Sequence, residues 1–214
     1  WIAREFQAAN LQKVKGSWFK RFDAGKGIYG TNVVGILPGS SKTARNRYVV
    51  VGAHFDHLGT INGTMYPGAD SNASGTAALL SLTRMFSAMR AAGKAYDSNI
   101  IFVAFDAKEM GMSGSASMWK MIDYSMLKDP ITGDAITKEK ITAMVNIDQI
   151  GSSLSPVHSS RPDYLLMLGN DSLPKDKRLN LEACNMYHDI NMDLCFSYYG
   201  SKTFTDVFYR LSDQ

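Results

Sequence analysis

Several apolar runs, most of them rich in β-branched residues, predict the strands of a central sheet. Most run without polar alternation, as in strands that are covered on both faces. Between the second and third runs, apolar residues recur at helical spacing over residues 73–90 and predict a helix. Alternating strands and helices predict an α/β fold with a largely parallel sheet between helix layers. The strand-like runs cover residues 31–39, 47–55, 99–106, 141–148 and 163–170.

Two more helices and an edge segment complete the predicted domain. One helix is expected after Met112, and another near residues 174–188, with Ser172 as a cap. The weakly patterned residues 1–30 are expected to form a helical segment on the edge of the domain formed by 31–214. We therefore expect a single domain overall.

Composition and charge narrow the class of protein. A chain of 214 residues, 45% hydrophobic and 20% charged, suits one globular domain. The net charge of +3 comes from scattered Lys and Arg, so nucleic acid is not an expected partner. No apolar run reaches the ~18 residues of a membrane span. Arg4 and Glu5 interrupt the apolar stretch that a signal peptide would need.

The two cysteines, Cys184 and Cys195, leave the redox environment open. They could form a disulfide in an oxidising compartment or remain two small buried thiols. Their spacing is not that of a metal-binding motif.

Polar residues follow three of the predicted strands. His54 ends one strand, residues 106–109 follow another, and Asp148 ends a third. Ligands of open α/β sheets bind outside the carboxyl ends of strands, so these side chains are expected to converge. A histidine with several carboxylates at one sheet edge predicts a metal site.

Five segments carry a resemblance to a known family. In order and spacing they resemble the zinc exopeptidases of the bacterial leucyl aminopeptidase type, a family that includes glutamate carboxypeptidase and the glutaminyl cyclases. The resemblance implies a three-layer α/β/α sandwich around a mixed, largely parallel sheet, a two-zinc centre, and a periplasmic or secreted location. It also implies further elements after the last segment, so we expect the C-terminal part to be missing. The segments are VVVGAHFDHLG (49–59), YPGADSNASGTAALL (66–80), IIFVAFDAKEMGMSGS (100–115), MVNIDQIG (144–151) and FYRLSDQ (208–214).

Three positions keep the residue types that the resemblance implies as zinc ligands: His54, Glu109 and Asp148. Asp56 is placed to accept the second N–H of the His54 ring, as carboxylates near metal-bound histidines often do. The resemblance assigns the metal to the first histidine of HFDH, so His57 is expected to be structural.

Three other positions hold residue types that differ from those the resemblance implies. Ser71 stands where the family has its bridging aspartate, and Gln214 where it has its last histidine. Neither side chain is a good zinc ligand, and Ser71 is instead expected to cap the following helix. Lys108 stands at the general-base position, but an ammonium has no lone pair to accept a proton.

The leading interpretation is a pseudo-peptidase that binds a peptide-like ligand or partner. No zinc, or one weakly bound zinc on His54 and Asp148 helped by Asp70 or Glu109, is expected. The first alternative is an active or weakly active metallo-aminopeptidase that recruits Asp70. The second is a scaffold domain without a ligand. We further hypothesise that Lys108 supplies the positive charge that the metals would have brought, the alternative being that it turns to solvent.

Overall fold

The computed structural model describes residues 1–39, 46–94, 96–152, 164–170, 175, 178–197 and 200–213. By their contacts they form two compact units, one of residues 1–149 with Asp213, the other of residues 150–212. The assignment of the whole chain to one domain stays a prediction. Within the described ranges, no helix is both long and apolar enough to cross a bilayer.

The first unit contains most of the predicted strands and helices. Its helices are α1 (Ile2–Ala8), α2 (Gly75–Ala91) and α3 (Ser113–Asp123). Its strands are β1 (Gln12–Lys13), β2 (Phe19–Gly25), β3 (Ile28–Leu37), β4 (Tyr48–His54), β5 (Gly59–Ile61), β6 (Thr64–Tyr66), β7 (Asn99–Phe105) and β8 (Ile141–Asn146).

A mixed sheet forms the centre of this unit. In the described part of the chain its strand order is β1-β3-β7-β4-β8, with β2 also paired to β3. β4 runs parallel to both β7 and β8, whereas β1, β2 and β7 run antiparallel to β3. The parallel strands β4 and β8 therefore end at the same edge, beside the end of β7.

Helices cover both faces of the sheet. Leu79 and Leu80 of α2 pack with α1 residues in one apolar cluster, and Met118 and Ile122 of α3 pack in the other. Every residue of β7 is buried, as its unbroken apolar run predicts. The predicted α/β/α sandwich around a mixed sheet is confirmed.

The first 30 residues are less helical than expected. α1 ends at Ala8, and Asn10 adopts a left-handed conformation (φ 55°) that halts the helix. The chain then enters β1 and β2, which pair with β3. Pairing with β3, a tertiary contact, decides the conformation of this weakly patterned stretch.

The second unit contains β9 (Tyr164–Leu166) and β10 (Asp193–Cys195), which pair in parallel, and α4 (Leu181–Tyr187) and α5 (Lys202–Tyr209). The helix predicted over 174–188 starts later than expected. Asn180 caps α4 by accepting a hydrogen bond from Ala183 N–H (3.1 Å). Ser172 and Pro174 lie outside the described residues. Cys184 and Cys195 are both free thiols.

Replacing Tyr48 by Phe is expected to lower the free energy of unfolding by about 1.5–3 kcal/mol. The buried Tyr48 hydroxyl donates a 2.6 Å hydrogen bond to the buried Asp129 carboxylate. Without it, one carboxylate oxygen loses this donor. Urea denaturation measures the change, and Tyr124→Phe is the matched control because Tyr124 is 75% exposed. Equal stabilities of the two variants would contradict this assignment.

Candidate functional site

His54 lies fully buried at the end of β4, with both ring nitrogens engaged. Its Nε2 is 3.1 Å from Asp148 Oδ1, at the end of β8. Its Nδ1 is 3.1 Å from the main-chain oxygen of Asp56 and 3.5 Å from the Asp56 carboxylate. The His54 carbonyl accepts hydrogen bonds from Asn72 Nδ2 and Thr76 Oγ1. Ring and backbone are therefore both held in place.

The charge state of His54 follows from these neighbours. Burial by itself lowers the pKa of the imidazole, but the hydrogen bonds to Asp148 and Asp56 outweigh burial and raise the pKa to about 9. The two carboxylates therefore favour the protonated form of the ring. Burial also acts to raise the pKa of Asp56, yet its hydrogen bonds, first with His54, hold it below its usual value.

Asp56 contacts His54 and also fixes the turn that follows β7. Its two carboxylate oxygens accept the main-chain N–H groups of Lys108 and Glu109, each at 3.0 Å. The nearby Asp106 carboxylate accepts instead from the N–H groups of Thr31 and Ala107. Asp56 therefore joins the ends of β4 and β7, whereas Asp106 belongs to the backbone of the sheet edge.

Lys108 points into the carboxylate cluster. Its Nζ lies 3.5 Å from Glu109 Oε1 and 3.8 Å from Asp148 Oδ2, and its side chain is only 12% exposed. The alternative in which this side chain turns to solvent is wrong. The structure thus brings His54, Lys108, Glu109 and Asp148 together.

Asn72, which the sequence reasoning did not single out, organises the segment around Ser71. Asn72 Oδ1 accepts hydrogen bonds from Gly75 N–H at the start of α2 and from Gln149 N–H, both at 3.1 Å. Its Nδ2 also donates to Ile147 O at 2.9 Å. Ser71 Oγ instead accepts from Gln149 Nε2 at 3.2 Å, so the prediction that Ser71 caps α2 is wrong. The sequence feature that could have indicated this role is the position of the Asn72 amide between the end of a strand and the start of a helix.

The remaining predicted positions lie around this centre or beyond the described chain. Asp70 is half-buried, and its carbonyl accepts from Ser74 Oγ at 2.7 Å. His57 Nδ1 lies 2.9 Å from Tyr66 O and 3.0 Å from Gly59 N, beside the β5–β6 hairpin. Gln214 lies outside the described residues.

Asp213 is a second residue that the sequence reasoning missed. It is 1% exposed, and neither carboxyl oxygen has a hydrogen-bond partner among the described side chains and backbone. The neighbouring Ser115 hydroxyl donates its hydrogen bond to Met112 O. Burial raises the pKa of Asp213, and the charges of Asp148 and Asp56 act in the same direction, against the charge of His54. Its only signal was its place beside Gln214 in the terminal segment.

Comparison with known proteins places the chain in a family. The sequence profile of peptidase family M28 matches residues 32–206, more than half of the chain. The chain belongs to peptidase family M28. The resemblance to zinc exopeptidases is thereby confirmed.

Three known proteins illustrate the similarity. Human transferrin receptor protein 2 is 31% identical over 149 residues, which are 62% of this chain and 17% of the receptor. A probable leucine aminopeptidase of Arthroderma otae is 28% identical over 191 residues, 87% of this chain and 44% of that protein. BSAP, a zinc aminopeptidase from Bacillus subtilis, aligns in structure with a TM-score of 0.57 and 20% identity, over 80% of this chain and 35% of BSAP. This M28 chain spans less than half the length of each, and the likeness to BSAP shows the fold alone.

The donor set of this M28 chain can be compared with a two-zinc centre. Among the described residues, no three His, Cys, Asp or Glu side chains are grouped to hold a metal ion. An ammonium, that of Lys108, lies among the carboxylates that remain. Zinc sites in proteins typically use three or four protein ligands drawn from Cys, His and carboxylates. The described residues do not fit such a centre.

Proposed function

We propose that this chain is an M28 domain that binds a peptide-like ligand or partner without hydrolysing it. The observation that carries the proposal is the position of Lys108, whose ammonium lies 3.5 Å from Glu109 and 3.8 Å from Asp148. A hydrolase of this type needs a base that takes a proton from water. Lys108 stands where the resemblance implies that base, and its side chain forms ion pairs with two carboxylates.

The names of two relatives support a peptide-like ligand. The Arthroderma relative is named as a leucine aminopeptidase, which acts on the amino ends of peptides. Transferrin receptor protein 2 is named for binding rather than for hydrolysis, so similarity extends to a protein named as a receptor. A periplasmic or secreted location is part of the proposal, by resemblance to the family.

One distance favours a second candidate, a weakly active metallo-aminopeptidase. His54 Nε2 and Asp148 Oδ1 are 3.1 Å apart, close to the separation of roughly 3.3 Å between two ligands of one tetrahedral zinc. A single zinc held there would bind weakly, with two strong ligands and an ammonium nearby.

Metal content and turnover together test the leading proposal. Purified protein is expected to carry well under one zinc per chain after dialysis, and to release no p-nitroaniline from leucine p-nitroanilide above a blank, even with added zinc. The loss of a general base alone removes ~10²–10⁴ in rate. Steady turnover that a chelator abolishes and zinc restores would support the second candidate instead.

A matched variant makes that assay specific. Glu109→Gln removes a carboxylate of the centre, so turnover that belongs to this site falls in the variant, whereas turnover from a contaminating peptidase does not. Calorimetry with the dipeptide leucylglycine separates a binding domain from a scaffold. Heat of binding that saturates supports the proposal, and its absence over a range of peptides favours the scaffold.

A further inference from the structure

We propose that Lys108 is a built-in cation, which takes the place of the family's metal ions and holds Glu109 and Asp148 together at the sheet edge. This inference rests on the proposed loss of the metal centre. It adds that the centre is not simply emptied but is rebuilt around a positive charge carried by the chain itself.

The backbone aims Lys108 at the cluster. The main-chain N–H of Lys108 donates a hydrogen bond to the Asp56 carboxylate. The Lys108 carbonyl accepts hydrogen bonds from the N–H groups of Gly111 (3.1 Å) and Met112 (2.9 Å). Met112 adopts a left-handed conformation (φ 57°) just before α3 begins. The residue is therefore fixed on both sides, and its four-carbon side chain needs only to reach across the turn.

The charges around Lys108 come from three different parts of the chain. Glu109 belongs to the same turn, Asp148 follows β8, and His54, with Asp56 two residues beyond it, ends β4. A positive group between Glu109 and Asp148 relieves the repulsion of two carboxylates drawn into a largely buried space. A divalent ion would otherwise have this task.

The charge added by the replaced positions is nearly equal to the charge of the missing metal ions. Relative to the residues that the resemblance implies, Ser71 removes one negative charge, and Lys108 removes a second and adds one positive. These replacements make the net charge of the centre more positive by three elementary charges. Two Zn²⁺ ions would bring four. An ammonium less than 4 Å from both carboxylates also repels an incoming divalent ion.

The test compares Lys108→Met with Lys138→Met. Lys138 pairs with Asp123 on the surface at 2.7 Å. Its variant therefore removes an exposed ion pair that contributes little to stability. Without metal, Lys108→Met is expected to lower the melting temperature by about 5 °C or more, and Lys138→Met by less than about 2 °C. Zinc chloride, titrated against a chromogenic chelator, is expected to bind Lys108→Met at least ~10-fold more tightly than wild type.

Two further variants settle the cause. Lys108→Arg keeps the charge and is expected to keep the weak zinc affinity of the wild type. The double variant Lys108→Met, Glu109→Gln removes the carboxylate repulsion along with the cation and leaves the His54–Asp148 hydrogen bond in place. It is expected to regain stability and to lose the gain in zinc affinity. If Lys108→Met does not fold, refolding of the double variant supports the inference, and its failure to refold overturns it.

The inference is overturned if Lys108→Met has the same melting temperature as Lys138→Met and binds zinc no more tightly than wild type. In that case the lack of turnover can still hold, so the proposed function survives. Tight zinc and chelator-sensitive turnover in the wild type would instead overturn the proposed function.

Discussion

The triple variant Ser71→Asp, Lys108→Glu, Gln214→His is expected to bind zinc at least ~10³-fold more tightly than wild type. The changes supply a bridging carboxylate, remove the ammonium and add an imidazole. Each of the two metals implied by the resemblance then has three strong protein ligands. Elemental analysis after dialysis and a competitive zinc titration measure the gain.

A size-matched control separates ligand chemistry from changes in packing. Ser71→Asn, Lys108→Gln, Gln214→Asn alters the same three positions without adding a carboxylate or an imidazole, and is expected to bind zinc as weakly as wild type or nearly so. Similar zinc affinity in both triple variants would show that these positions do not form the metal centre.

Asn72→Asp is expected to lower the free energy of unfolding by ~3 kcal/mol or more. The amide of Asn72 donates to the carbonyls of His54 and Ile147 and is buried. A carboxylate of the same shape loses those donors and faces two carbonyl oxygens with a negative charge. Urea denaturation at neutral pH gives the difference in stability.

Asn62→Asp is the matched control for this change. Asn62 lies exposed in the β5–β6 turn with φ 50°, a conformation that Asn and Asp both tolerate. The same chemical substitution is expected to change stability there by less than about 0.5 kcal/mol. If the two variants were equally stable, Asn72 would not be the residue that ties the strand ends to α2.

These expectations share one physical basis, the handling of charge at a buried sheet edge. His54 lies between Asp148 and Asp56, and Lys108 lies against Glu109 and Asp148. Each carboxylate of this group has a cation or backbone N–H groups close by. Asp213 differs, since burial raises its pKa and its oxygens find no hydrogen-bond donor in the described chain.

The sequence determined the elements whose signals are local. Unbroken apolar runs specified β4 and β7 within one or two residues, because strands buried on both faces need apolar side chains at every position. The convergence of His54, Glu109 and Asp148 also followed from sequence, since the ends of neighbouring parallel strands meet at one edge. The motifs around them identified the family, which the profile match confirms.

Only the tertiary structure decided how the side chains of that edge are used. No local pattern distinguishes a solvated Lys108 from one held between Glu109 and Asp148, because the carboxylate partners come from different strands and turns. The same is true of Asn72, whose four hydrogen bonds join β4, α2 and the end of β8. Long-range contacts likewise turned residues expected to be helical into β2, because pairing with β3 outweighs weak local preference.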